Sequence, residues 1–194
     1  GERSLVNYRD APHPLAAEAA DLPVPHPCVL LFDGHEPELS LSLMRDARAA
    51  GIPTLLDAGS LHQGTASLFD QVDYLVCSER FASESTGASS PEKAMEALSS
   101  RCRCVVITLG RRGLLWNKGG QGGQMAAFPV EVKDTTGAGD VFHGAFAGSL
   151  ALAKGWEQTL TYASAAAALC CTKLGARTGI PTGWEVERFL REIS

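Results

Sequence analysis

The 194-residue chain carries 17 Lys and Arg against 22 Asp and Glu, a formal net charge of −5, and 45% of its residues are hydrophobic. That is enough chain and enough apolar surface for one domain, or one and a half, with a sizeable core. The basic residues are scattered, densest at Arg101–Arg103 and Arg111–Arg112, which excludes an electrostatic footprint for nucleic acid or an anionic membrane surface. Six cysteines form no C-x-x-C and have no histidine at zinc-finger spacing. They read as buried free thiols in a reducing, cytoplasmic setting. The longest apolar helical stretch, AAAALCC, is far too short to span a bilayer. No signal-like segment opens the chain, and GERSLVNYRD reads as the interior of a longer protein, so a fragment is expected.

In chain order, the Pro-rich stretch 12–27 holds five of the ten prolines and reads as an irregular linker. CVLLFDG (28–34) is a buried-strand candidate, and the helical pattern after it places Leu39, Leu43 and Ala47 on one face. PTLLDAG (53–59) and VDYLVCS (72–78) read as strands, joined by the short helical or irregular link SLHQGTASLFD. Helical patches follow at SERFASES and at PEKAMEALSS, where Pro91 is a start signal. CRCVVITLG (102–110) is a β-branched strand ended by glycine. GLLWNKGGQGGQMAAFPV then holds two short strand-like runs around a Gly-rich turn, hence a hairpin. From there the pattern is helical: 137–154, 156–173 and an amphipathic piece from about 183. Strands alternating with helices predict an α/β fold with a mostly parallel sheet, the hairpin adding antiparallel strands at one edge. Ligands of such sheets gather at the carboxyl ends of the strands, where Asp33, Asp57, Ser78 and Gly110 fall.

The segment DTTGAGDVFHGAF (134–146) leads into apolar helix. A helix N-terminus offers unpaired N–H groups and about half a positive charge, so it attracts anions. Gly137, Ala138 and Gly139 leave the backbone open to a phosphate. Asp134 and Thr136 are of the types that cap such a helix. Asp140, in the first turn, needs no capping role, although the dipole stabilises an acid there whatever it does. Phosphate binding and a well-capped helix both fit. A dinucleotide-binding fingerprint is a poor match: the third glycine, Gly144, falls late, and Glu157 starts a helix where a ribose-binding acid ends a strand. No G-x-x-x-x-G-K-[ST] loop occurs.

DTTGAGD resembles the C-terminal signature D-T-x-G-A-G-D of the ribokinase-like (PfkB) carbohydrate kinases. VVITLGRRGLLW resembles that family's strand–T-x-G-x-x-G segment, and YASAAAALCCTKLGARTGIPT its alanine-rich helix and following turn. The three lie in the family's order. The resemblance implies a ribokinase-like three-layer α/β sandwich, with residues 1–27 a residual lid or linker segment and 28–194 the nucleotide-binding and catalytic domain. It implies transfer of the γ-phosphate of ATP to a hydroxyl of a sugar or sugar-like alcohol. Asp140 matches the general base. Gly137, Ala138 and Gly139, with the Asp140 backbone, match the anion hole. Thr108, Gly110 and Gly113 match the segment along the nucleotide, and Ser164 the adenine pocket. Asp134 and Thr136, with carbonyls near Cys170 and Gly175, match a potassium site. Asp33 and Asp57 are candidates to line the sugar site.

Two departures stand out. The N-x-x-E motif that organises Mg²⁺ is CSERFASE here: Ser78 replaces Asn, Phe81 replaces Glu, and Glu79 or Glu84 is a candidate substitute. The family's N-terminal sugar-binding segment and part of its lid, often a homodimer interface, are absent from the sequence. Nucleotide binding is therefore expected to exceed sugar phosphorylation. A catalytically inactive nucleotide-binding fragment is the competing class, and a dinucleotide-dependent oxidoreductase a third. His143, one turn after Asp140, reads as a packed helix histidine or a substrate contact, and His35 as helix-start decoration. Gly144, Ala145, Ala147 and Gly148 read as small residues for close helix packing. Trp116, Trp156 and Trp184 read as core or cover residues sharing no face.

Overall fold

A computed structural model describes residues 27–193; the Pro-rich linker, the lid segment and GERSLVNYRD lie outside them, apart from Pro27. Six strands form one sheet in sequence order: β1 (Leu30–Phe32), β2 (Thr54–Ala58), β3 (Tyr74–Ser78), β4 (Cys104–Thr108), β5 (Leu114–Lys118) and β6 (Gln121–Met125). β1 to β4 run parallel. β5 and β6 are the antiparallel hairpin at one edge, turned at Gly119 and Gly120, both with positive φ.

Helices α1 (Pro37–Ala50), α2 (Gln63–Leu68), α3 (Glu79–Thr86) and α4 (Pro91–Ser99) make the crossovers between the parallel strands. Crossovers of one hand between successive neighbours put every connecting helix on the same face. That face buries Phe32, Leu56, Ala58, Leu75, Cys77, Val105 and Ile107 against Met44, Leu68, Phe81, Ala94 and Leu98. The strand period of two sends the alternate residues Leu55, Val76, Val106 and Leu114 to the other face. There they meet Phe142, Phe146, Ala147, Leu160 and Ala163 of α5 (Ala138–Ala151) and α6 (Trp156–Cys170). The short α7 (Ala176–Gly179) follows, and α8 (Gly183–Glu192) packs Val186 on Ala165 and Ala166 of α6. Helices therefore cover both faces of a mostly parallel sheet, which is the three-layer α/β sandwich.

Local signals explain the boundaries. Ser78 and Ser90 cap α3 and α4 through their hydroxyls, and Pro91 opens α4. Thr182 and Glu185 form the capping box of α8.

Several expectations need correction. Gly144 and Gly148 face open space, where an added Cβ would touch nothing; of the four small residues of α5, Ala147 is the buried one. Trp116 and Trp156 do share a face, their rings edge to face at 5.6 Å: Trp116 pairs with Val106 between β5 and β4 and so points to the α5–α6 side. Trp184 is 60% exposed, neither core nor cover. Four of the six free cysteines are buried, Cys171 is half-buried and Cys28 is exposed. Burial pushes the thiols of Cys102 and Cys104 up to about 11 and about 12. Among the described residues no helix is long and apolar enough to cross a membrane.

Candidate active site

The parity that builds the core also builds the site. Asp57 follows Leu55 by two residues, Ser78 follows Val76 and Thr108 follows Val106, so all three point to the α5 side at the carboxyl ends of β2, β3 and β4. Ser78 and Thr108 are directly paired across β3 and β4. The N-terminus of α5, with Gly139 and Asp140 exposed in its first turn, lies near the Asp57 end of this row.

Helix α5 is not capped as the sequence implied. Its N-cap is Gly137, in the left-handed region at φ 80°, with no side-chain cap. A Cβ on Gly137 would lie 2.8 Å from Cβ of Ala176, so both conformation and space require glycine there. Gly139 differs: a Cβ there would meet nothing within 4 Å. The first-turn N–H groups carry no side-chain cap, and the surface before them is open, an arrangement suited to an anion.

Asp134 clamps loops instead of capping. Its Oδ1 accepts from Thr136 N at 2.9 Å and its Oδ2 from Gly175 N at 2.8 Å. Lys133 N and Asp134 N both donate to the Cys171 carbonyl, at 2.8 and 3.2 Å. Asp134 and the Cys171 carbonyl thus tie the loop before α5 to Gly175 and to the end of α6.

Asp57 is the most perturbed acid of the site. Burial holds its carboxyl above the ordinary aspartate range; His143 beside it pulls it down, Asp140 and Asp33 push it up, and a hydrogen bond from the Gly59 backbone lowers it. These influences place Asp33, Asp57, Asp140 and His143 in one electrostatic neighbourhood. Asp33 itself is exposed and accepts from His35 N at 2.9 Å. The His35 ring stacks on His62 at 5.5 Å, and α1 starts only at Pro37.

After β4, Gly110 and Gly113 both have positive φ, and Gly113 runs against the Met125 carbonyl so closely that any Cβ is excluded. Ser164 on α6 lies against the same residue, its Oγ 3.7 Å from Met125 Sδ. Met125, which the sequence reading missed, therefore joins Gly113 to Ser164; nothing in an isolated methionine at a hairpin end signals that role. The Thr108 hydroxyl donates to the Cys77 carbonyl at 3.2 Å. The Ser78 hydroxyl donates to the Gly59 carbonyl at 2.8 Å and accepts from Phe81 N.

Both acids that the sequence offered in place of the N-x-x-E glutamate are engaged in exposed ion pairs. Glu79 is ion-paired with Arg112, and Glu84 with Arg80 at 2.7 Å. Phe81 is fully buried in the core. No group of three or more His, Cys, Asp and Glu among the described residues is disposed to hold a metal ion. These residues do not fit a Mg²⁺ ion held directly by the protein. A cavity of about 310 Å³ lies elsewhere, at the amino ends of the strands beside Thr54, Tyr74 and Cys104.

The family model of the pfkB family carbohydrate kinases matches residues 1–183. The chain belongs to that family. Ribokinase of Bacillus subtilis is 37% identical over 140 residues, covering 72% of this chain and 46% of the relative. The crystal structure of a putative ribokinase from Agrobacterium tumefaciens superposes with a TM-score of 0.81 at 30% identity, covering 94% of this chain and 60% of that one. The Arabidopsis thaliana ribokinase complexed with ribose and ATP superposes at 0.77 and 29% identity, covering 84% and 55%. The chain spans about half the length of the curated relatives it matches.

Proposed function

We propose that this chain is the nucleotide-binding and phosphoryl-transfer part of a sugar kinase, moving the γ-phosphoryl group of ATP to a hydroxyl of a sugar or sugar-like alcohol. The observation that carries it is the open terminus of α5, where Gly139 and Asp140 lie exposed in a first turn that no side chain caps, with the Asp140 carboxylate beside it. The relatives named ribokinase, and the Arabidopsis complex holding both ribose and ATP, support that reading.

In the proposed reaction the substrate hydroxyl oxygen bonds to the γ-phosphorus, the bond to the ADP oxygen breaks, and the hydroxyl proton passes to Asp140. The transition state of such transfers is loose, so the proton leaves late and a carboxylate is base enough. The α5 N–H groups stabilise charge on the transferring oxygens, and positioning supplies much of the rest. Thr108, Gly110 and Gly113 line the nucleotide, Ser164 and Met125 border its base, and Ser78 shapes the floor as the cap of α3. Asp33 and Asp57 face the hydroxyl-bearing substrate. Asp134, Thr136 and Gly175 would hold a potassium ion, whose charge would favour the anion hole, and Mg²⁺ would come bound to the nucleotide phosphates.

The test is transfer of labelled γ-phosphate to ribose, fructose and related sugars by the chain and by Asp140→Asn. The expected loss in the variant is about 10²–10⁴-fold, the contribution of a general base. Equal turnover by parent and variant removes Asp140 from that role, and no transfer to any sugar leaves the competing reading, a nucleotide-binding module without activity.

A further inference from the structure

His143 is buried, 4% exposed, on α5 one turn after Gly139. Three oxygens from three elements converge on its ring. Nδ1 lies 2.7 Å from the Gly139 carbonyl and 3.2 Å from Asp57 Oδ2, while Nε2 lies 3.1 Å from the Val76 carbonyl. We propose that His143 is a positioning residue that pins the Asp57 carboxylate in front of the α5 terminus, and so fixes the direction in which that acid faces the reacting groups. The proposal rests on reading the α5 terminus as the phosphoryl site.

The surroundings of Asp57 show why it needs pinning. Two of its charged neighbours, Asp140 from α5 and Asp33 from beyond β1, repel it; the Gly59 backbone and His143 attract it. Without His143, one backbone hydrogen bond would hold the carboxylate against two like charges and the cost of burial. The ring is itself immobilised: Val76 holds its far nitrogen, and Phe142 meets it edge-on at 6.0 Å. The same Nδ1 meets the Gly139 carbonyl, so one side chain registers the strand-borne acid against the first turn of the helix. Parity put Asp57 on this face of the sheet, and helical spacing put His143 one turn behind the glycine loop; neither pattern alone announces the pair.

Asparagine and glutamine separate this role from simple packing. Asn places an amide N–H near the position of Nδ1, whereas Gln reaches toward that of Nε2. In the full chain with ¹³C-labelled aspartate, the Asp57 carboxyl signal is followed through a pH titration for the parent, His143→Asn and His143→Gln. In the Gln variant the Asp57 midpoint is expected to rise by about one pH unit, as the attraction of the ring nitrogen 3.2 Å away is lost. In the Asn variant it stays near the parent. One midpoint for all three, or equal displacement in Asn and Gln, overturns the proposal. Should the Gln variant not fold, Asp57→Asn in the otherwise unchanged chain is expected to move the ¹⁵N resonance of His143 Nδ1; an unmoved resonance overturns it equally. Calorimetry with ATP on the same samples separates this inference from the functional reading. A pinned Asp57 in a chain that binds no ATP leaves the pair standing and the phosphoryl site fallen, and ATP binding with an unresponsive Asp57 does the reverse.

Discussion

Gly137 and Gly139 sit two residues apart and are glycine for different reasons. Gly137 is required by its left-handed backbone and by Ala176, so any replacement costs folding. Gly139 carries neither constraint, and that makes it a clean probe of function. Gly139→Ala is expected to leave the melting temperature unchanged or raise it, since removing a helical glycine at a compatible conformation stabilises by about 0.4–1 kcal/mol. The methyl group would stand where the phosphoryl oxygens approach, so ATP affinity falls about tenfold or more, about 1.4 kcal/mol. Unchanged affinity by calorimetry would show that no anion reaches this turn. Asp57 carries the opposite trade. Burial holds its folded carboxyl above the ordinary aspartate value, so the folded state binds that proton more tightly than the unfolded chain. Its contribution is therefore most favourable below about pH 3.8 and is lost as pH rises through the higher folded value. Asp57→Asn should make the chain more stable near neutral pH, the advantage vanishing in acid. Urea melts at several pH values check this, and a variant less stable at neutral pH would contradict it.

At the scale of elements, most of the architecture was legible. The alternation of LLDA, YLVCS and CVVIT with helical segments set the parallel strands, and the Gly-rich turn set the hairpin, because both periods follow directly from backbone geometry. What escaped were contacts between elements. Trp116 and Trp156 meet because the hairpin register turns Trp116 inward, and register is not written in either tryptophan. Asp134 looked like a cap because its residue type caps helices; it acts across 41 residues of chain on Gly175 instead. Of the small residues of α5 that looked like a packing stripe, Ala145 and Ala147 do pack, Gly144 and Gly148 do not, and the bulkier neighbours fill the contact. Phe146 is fully buried with Tyr74, Trp156 and Phe142 around it, ring centroids 5.9–6.2 Å away. It fastens to the sheet the helix that carries Asp140. Phe146→Ala is expected to cost about 3–5 kcal/mol in a denaturant melt. A loss under about 1 kcal/mol would mean that α5 is held from elsewhere.

For the whole molecule, sheet parity, strand direction and the placement of α5 converge on one end of the sheet. Asp57, in line with Ser78 and Thr108 at the strand ends, lies beside that helix terminus there, and Asp134 ties the loop before it to Gly175. The candidate site was legible where chemistry is local, in the glycine loop and Asp140. It was not legible where it depends on partners distant in sequence, as with His143 and Asp57, or where the family motif is replaced, as at Ser78 and Phe81. The chain spans about half the length of the first curated relatives it matches. The most direct measurement is calorimetric titration of the folded chain with ATP and Mg²⁺ in potassium buffer, beside NADH, with folding followed by circular dichroism in the same sample. The account predicts that ATP binds and NADH does not. A folded chain that binds no ATP, or binds NADH in its place, would contradict it and return the glycine loop to a helix start.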